Sequence, residues 1–512
     1  MRRLGQPGSG LTAPKRIFNG TVATIDETGT PHPYVVESLP VLDSDSWRVF
    51  PDGRMETIYR LRPGLRWHDG TLATAEDFRF SWRVYTKPEY GFGTPPFHAI
   101  EEVATLDERT VIIRWKQPYV EAGSLSATND ELPILPAHIL REPFEQLDAD
   151  TFVNLSFWTR DYVGLGPYRL VRWEPGGFLE GLAFDGHILG RANIERIKIM
   201  FIGDGNTVLA NLLSGEVQIA TDNAIGLPQI EVLKREARDL SLLPAAGSWR
   251  LTYFQLRPEY ASPRAILDPR LRKALAYAWD RETLNEGVYF GMYVPADTMI
   301  VSNSRFGKAM EDGAIKYPYD RRRSEQLMNE AGFSRGSDGF YTGPPEGRFT
   351  AELKASAGPA DTEAATVMAS LWRQEGFDVV ELMLPTAQAQ VAEISATFPS
   401  MLTRTTFEGL TTLVAFNTAG IPRPENRWNG PNRGGWSSAE YDRLGEVFKT
   451  TLDDQIRSEL VSQMMRVFTE ELPVLPGFFL NRPIPYPTAL LGPKDVPGES
   501  NFAFNIHEWV FR

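Results

Sequence analysis

Cysteine is absent from all 512 residues. That removes disulfides, thiolate metal sites and cysteine nucleophiles from consideration, and leaves the redox compartment open. Long apolar runs are also missing: no stretch of the sequence approaches the ~20 consecutive apolar residues that cross a bilayer. Positive charge is in short supply. Lys and Arg number 53 against 66 Asp and Glu, a net charge of −13, whereas a nucleic-acid groove needs a basic field. The six histidines, His32, His68, His98, His138, His187 and His507, stand apart from one another with no H-E-x-x-H, so the sequence proposes no metal site. No repeat of solenoid period is present. Met1-Arg2-Arg3 could open a signal peptide, but Gly5 to Lys15 lacks an apolar h-region, and residues 1–15 read as a disordered leader.

What remains is ordinary soluble composition, 42% hydrophobic and 23% charged, in a chain long enough for two or three domains. The 12 Trp, 17 Tyr and 29 Phe suffice for an aromatic cleft as well as a core.

The densest local signal runs from Tyr59 to Tyr85. Tyr59 and Leu61 alternate with Arg60 and Arg62 as in a half-buried strand, which Pro63-Gly64 ends. Asp69-Gly70 makes a turn. Thr74, followed by Ala75-Glu76-Asp77, predicts a capped helix whose Phe78, Trp82 and Tyr85 form one apolar stripe. His68 beside Asp69 resembles a catalytic pair in isolation.

Three further patterns look chemical and have plainer explanations. Gly164 and Gly166 suggest a nucleotide loop, but the third glycine is missing and a strand, Tyr168 to Trp173, follows where a helix is required. Gly332-Phe333-Ser334-Arg335-Gly336 matches G-x-S-x-G, yet a helix leads into it instead of a strand, which makes Gly332 a helix stop. Glu101-Glu102, Asp453-Asp454 and Glu470-Glu471 suit surfaces and helix caps, and sequence cannot set two of them across a substrate.

From Ile194 to Leu256 strands and short helices alternate, which suggests an α/β layer with its sheet between helices. Past Pro263 helices dominate, with Asp268, Asp280 and Asp320 as caps and Ser437-Ser438-Ala439-Glu440 as a capping box.

Seven blocks, in order, resemble the family 5 extracellular solute-binding proteins, the peptide/nickel receptors of ABC importers. They are YRLRPGLRWHDGTLATAEDF (59–78), VGLGPYRLVRWEPG (163–176), IERIKIMFIGDGNTVLANLLSGEVQIA (194–220), DPRLRKALAYAWDRETL (268–284), YDRRRSEQLMNEAGF (319–333), SSAEYDRL (437–444) and EELPVLPGFF (470–479). The resemblance implies a two-lobed α/β fold of the type II periplasmic-binding-protein kind, mixed sheets flanked by helices, closing on a ligand. Its segments would be 16–39 and 166–257 for the first lobe, 40–165 for an extra subdomain within it, 258–478 for the second lobe, and 479–512 for a return to the first.

By the same resemblance the protein is a monomeric receptor, not an enzyme, and needs no cofactor. It would capture a peptide or small solute, present it to the membrane subunits of an importer, and work in the periplasm or outside the cell. Two departures stand out. The chain joins the family pattern near Ile17-Phe18-Asn19-Gly20, after the usual leader and first strand. Peptide-binding members hold the peptide amine with an acidic second-lobe residue, whereas the matching segment here, 401–408, offers Arg404 and, as its sole acid, Glu408. A guanidinium fork suits a carboxylate, so a carboxylate-bearing ligand is expected. Arg404, Thr405, Phe407 and Glu408 are the candidate polar and apolar contacts, with Trp436, Phe18 and Trp158 as further aromatic walls. A receptor for a nickel chelate or an oligosaccharide is the alternative within the binding class. A hydrolase using cleft carboxylates is the alternative outside it. His68, set in this pattern, falls at a turn away from the ligand.

Overall fold

A computed structural model describes residues 12–90, 96–97, 99–125, 132–221, 224–244, 248–302, 304–345, 347–356, 359–389, 391–407, 409–481, 483–494 and 502–512. The chain divides into two compact units, Met1–Ala245 with Arg482–Arg512, and Ala246–Asn481. Unit 1 is therefore made from both ends of the chain and unit 2 from the middle.

Unit 1 starts with a helix, Thr12–Phe18, which takes in the end of the expected leader, and a hairpin of Ala23–Ile25 with Pro31–Pro33. A four-stranded antiparallel sheet follows in the order Trp47–Val49, Met55–Arg60, Thr110–Trp115, Ile100–Thr105. The strand foreseen at Tyr59 begins earlier, because Met55, Thr57 and Tyr59 already alternate inward. The helix predicted after Thr74 spans Ala75–Tyr85 and buries Phe78, Ser81 and Tyr85 together with Phe80 and Val84, while Trp82 is half-buried. Asp77 does more than favour the helix dipole. It is buried, its carboxylate accepts the N–H groups of Thr74 and of Ala137, both at 2.8 Å, and it ties this helix to the start of Ala137–Gln146.

The glycine pair is a close-approach device. The Gly166 N–H donates to the Phe18 carbonyl at 3.2 Å, and a Cβ on Gly166 would lie 2.5 Å from the Phe18 carbonyl carbon. A Cβ on Gly164 would collide with the Phe18 carbonyl oxygen. Backbone on backbone leaves nothing flexible to give way. Gly166→Ala is therefore expected to cost about 1–3 kcal/mol of unit 1 stability, as overpacked cores do. A denaturant midpoint unchanged from wild type would contradict this packing.

The strand after it, Tyr168–Glu174, joins Phe178–Ala183 and Arg196–Met200 in an antiparallel sheet. The helix Gly205–Ser214 is capped by Asp204, which accepts from the Thr207 N–H at 2.8 Å, and ends at Gly215 with φ +78°. Within the alternating stretch, Val217 to Ala220 forms no ladder. Leu240–Leu243 instead pairs with Ile484–Pro487 from the C-terminal segment.

Unit 2 is built on a six-stranded mixed sheet. Its order is Val294–Pro295, Val474–Leu480, Ser248–Phe254, Met401–Phe407, Thr350–Ser356, Asp378–Leu384. The last two strands are parallel and are joined through the helix Pro359–Gln374, a βαβ crossover. The Ser248–Phe254 strand, which the sequence segmentation leaves with the first lobe, pairs with two strands of this sheet and falls in unit 2. On one face Trp249, Leu251, Tyr253 and Leu402 meet Phe416, Trp436, Tyr441 and Phe468 in one apolar cluster. On the other, Phe478 meets Trp279 and Tyr289 edge-on at 5.9 and 5.2 Å.

Asp268, Asp280 and Asp320 cap helices as expected. The capping box at Ser437–Glu440 does not form: the helix starts at Ala439 with Ser438 as its cap position, the Ser437 hydroxyl pairs with Thr418 Oγ1 at 2.9 Å, and the Ser438 hydroxyl donates to Glu471 at 3.3 Å. Gly332 has φ +89° after the helix Arg321–Glu330, and Ser334 sits in a short strand opposite Thr342. A serine in a ladder is not a nucleophile elbow. Among the described residues no helix is long and apolar enough to cross a membrane.

Candidate functional site

Along Met401–Phe407 burial fades in chain order. Met401, Leu402 and Thr403 are buried, while Arg404, Thr405 and Thr406 are half-buried. The strand thus carries its polar residues out of the core at one end. Cross-strand register sets Arg404 opposite Leu251 and Leu402 opposite Tyr253, so Arg404 lies on the Tyr253 face, one diagonal step away. Thr405 lies on the other face, opposite Arg250. Phe407 ends the strand opposite Ser248, and Glu408 lies outside the described residues.

A second arginine reaches the same place from a loop. The Tyr253 hydroxyl donates to the Pro431 carbonyl at 3.0 Å, and two residues on, Arg433 donates through Nη1 to Ser395 Oγ at 2.8 Å. Burial holds the Arg433 guanidinium below its ordinary pKa, and the like charge of Arg404 pushes the same way. Burial raises the Tyr253 phenol, against the pull of both arginines. Neither Arg404 nor Arg433 has a carboxylate partner among the described residues, whereas arginines such as Arg114, Arg270, Arg281 and Arg373 are ion-paired.

The loop bearing Arg433 is fixed by two buried side chains. Arg257 donates through Nη2 to the Arg433 carbonyl at 3.0 Å, through Nη1 to Pro422 O at 3.0 Å and through Nε to Gln255 Oε1 at 3.1 Å, and it also contacts Ala396 O. Asn432 donates through Nδ2 to the carbonyls of Phe416, Asn417 and Trp436, and accepts the Trp436 N–H at 3.1 Å. Both arginines therefore stand on supported backbone, as preorganised recognition requires.

The aromatic candidates lie deeper than the arginines. Trp436 is buried in the apolar cluster, edge-on to Tyr441 and Phe468, and its Nε1 donates to Glu471 at 2.6 Å. Phe18 is fully buried in unit 1, its ring filling the space where Gly181 lacks a side chain. Trp158, also in unit 1, is enclosed by Phe152 and Phe157 and donates to the Phe152 carbonyl at 2.8 Å. All three rings sit in cores in this structure.

His68 and Asp69 do not pair. The His68 ring bonds to Gly164 and Gly166, and Asp69 contacts His138 Nε2 at 2.7 Å. Sequence reading missed Arg433, Tyr253 and Arg257. Their partners lie up to 178 residues away, and no local signal marks them.

The family model for bacterial extracellular solute-binding proteins, family 5 (middle), matches residues 39–419, and the chain belongs to that family. It is similar to the oligopeptide-binding protein AppA of Bacillus subtilis (strain 168), 22% identical over 472 residues, covering 90% of this chain and 81% of AppA. A putative ABC transporter peptide-binding protein of Brucella ovis is 25% identical over 292 residues, 57% of this chain and about half, 51%, of that protein. Among solved structures, NikZ from Campylobacter jejuni in complex with Ni(L-His) superposes with a TM-score of 0.77 at 21% identity, covering 99% of this chain and 96% of NikZ. The protein is accordingly a non-enzymatic solute-binding protein of the kind that serves ABC transporters, with the type II fold.

Proposed function

We propose that this receptor captures a carboxylate-bearing solute, a peptide or a molecule of similar size, at Arg404 and delivers it to the membrane subunits of an importer. The observation that carries the reading is a half-buried guanidinium, Arg404, with no carboxylate partner among the described residues of a protein of net charge −13. A fixed guanidinium binds a carboxylate through paired, charge-assisted hydrogen bonds. Thr406, two residues on and on the same face of the strand as Arg404, would supply a hydroxyl, whereas Thr405 lies on the other face. AppA, an oligopeptide-binding protein, makes peptides the first solutes to try.

Arg404→Ala is expected to lower affinity for an acidic peptide by about ten- to a hundredfold, the worth of a hydrogen bond to a charged group. Isothermal titration calorimetry reads this directly, and an unchanged Kd would defeat the reading. A second reading, a metal chelate, draws on NikZ and its Ni(L-His). Histidine chelators also present carboxylates, so the same arginine would serve. Titrating nickel–histidine against the free peptide separates the two.

A further inference from the structure

We infer that Arg433 is a second arm of the Arg404 site, and that the pair selects solutes carrying two carboxylates over those carrying one. The inference rests on the carboxylate reading of Arg404 and goes beyond it. Its basis is the way the two side chains are supplied. Arg404 comes from the Met401–Phe407 strand and Arg433 from the loop after Pro431, and both act on the Tyr253 phenol that joins strand to loop. Two guanidiniums from separate backbones offer two forks in place of one.

Like charges brought together cost stability, and among the described residues no acid is paired with either guanidinium. The side-chain partner given to Arg433 is a neutral hydroxyl, Ser395. The surrounding charges make the field more positive. Arg423 bears on Arg257, and Arg257, which pins the Arg433 carbonyl, is itself satisfied by neutral oxygens. Glu259 is the acid felt by Arg257, and Arg433 feels Arg404 and Tyr253. A desolvated cation next to another cation gains most from an incoming anion, and a second negative charge gains again at the second fork. One carboxylate would leave one guanidinium uncompensated.

The test uses the whole protein and two tripeptides, Ala-Gly-Glu and Ala-Gly-Gln, which differ by a single side-chain charge. Wild type is expected to bind the Glu peptide at least tenfold more tightly. Arg433→Gln should bring the two affinities within about twofold by weakening the Glu peptide alone, and Arg433→Lys should restore part of the preference. Arg404→Gln should weaken both peptides. Because Arg257 and Asn432 hold the loop backbone and one of two like charges is removed, Arg433→Gln should unfold at or above the wild-type midpoint, which shows that a lost preference is not lost folding. Equal wild-type affinities, or a preference that survives Arg433→Gln, would overturn the inference while leaving Arg404 in place. Binding of neither tripeptide, or of both unchanged in Arg404→Gln, would overturn the carboxylate reading beneath it.

Discussion

Lowering the pH from 6.5 to 4 is expected to weaken unit 1 by about 2 kcal/mol through His68 and about 3 kcal/mol through His187, at roughly 1.4 kcal/mol per unit of pKa difference with a discount for the half-exposed His68 ring. Both imidazoles are held neutral by where their nitrogens point. His68 Nε2 donates to the Gly166 carbonyl at 3.0 Å, and its Nδ1 accepts the Gly164 N–H at 3.1 Å. His187 Nδ1 donates to the Gly190 carbonyl at 2.7 Å, and its Nε2 accepts the Tyr34 hydroxyl at 2.7 Å. A second proton on either ring would point at a group that is already donating. Burial is the main cause that brings each pKa down to about 4. For His68, His187 and Arg169 add to it against the Gly166 carbonyl and Asp69. For His187, His507 adds to it against the Gly190 carbonyl.

The sign follows from proton counting. Between the folded value, about 4, and the ordinary 6.5, the unfolded chain binds more protons than the folded one, so stability rises with pH there and is lost as pH falls. Carboxylates act in a lower window. Asp26 and Asp69 are held below the usual range by hydrogen bonds that outweigh burial, and they release stability only below roughly pH 4. Urea midpoints at pH 7.5, 6.5, 5.5, 4.5 and 3 resolve the two windows. His187→Gln lowers the plateau but should flatten the upper slope, and a slope unchanged in that variant would remove His187 as its source.

These two rings also mark where sequence reading stopped. His68 attracted attention for its neighbour Asp69, yet its partners are Gly164 and Gly166, the very glycines that suggested a nucleotide loop. Each motif was visible, but their meeting was not, because 96 residues separate His68 from Gly164. Features closed within one turn were legible: the Asp268, Asp280 and Asp320 caps, the Gly215 and Gly332 stops, the Ala75–Tyr85 helix. The capping box at Ser437–Glu440 shows how a local rule yields to distant partners, since Thr418 pairs with the Ser437 hydroxyl and Glu471 takes that of Ser438. Within the candidate site, Arg404 was legible because it departs from a family pattern in a single segment. Arg433 was not, because nothing near Pro431 says which strand the loop will meet. The aromatic residues were ambiguous for another reason. Apolar area drives a ring into a core as readily as into a cleft wall, and Phe18, Trp158 and Trp436 ended inside.

Replacing Arg272 with methionine is expected to destabilise unit 2 by about 3–5 kcal/mol, the cost of leaving several buried carbonyls without a donor at about 1–3 kcal/mol each. Arg272 lies on the helix Pro269–Tyr277, is 5% exposed, and donates only to backbone. Nε reaches Leu472 O at 3.1 Å, Nη2 reaches Glu471 O at 2.6 Å, and Nη1 reaches Ile266 O at 3.1 Å and Leu267 O at 2.8 Å. The first two carbonyls end the 18-residue helix Asp454–Glu471, where intrahelical donors run out and the dipole is negative. A guanidinium there supplies both the missing hydrogen bonds and the complementary charge. Burial brings its pKa down to about 10, so it stays charged at neutral pH. Methionine matches the stem but strands four carbonyls in the interior. Lysine keeps the charge yet cannot span both the helix end and the Arg264–Leu267 turn, so Arg272→Lys should fall between the two. Hydrogen exchange in denaturant, read separately on peptides of each unit, should show protection lost first around residues 468–472 and 264–268 while unit 1 is untouched. Affinity of the folded protein should change little, since Arg272 donates to the carbonyls of Leu472, Glu471, Ile266 and Leu267 and not to Arg404 or Arg433. A loss under 1 kcal/mol, or an equal loss in unit 1, would mean that the helix end does not depend on this clamp.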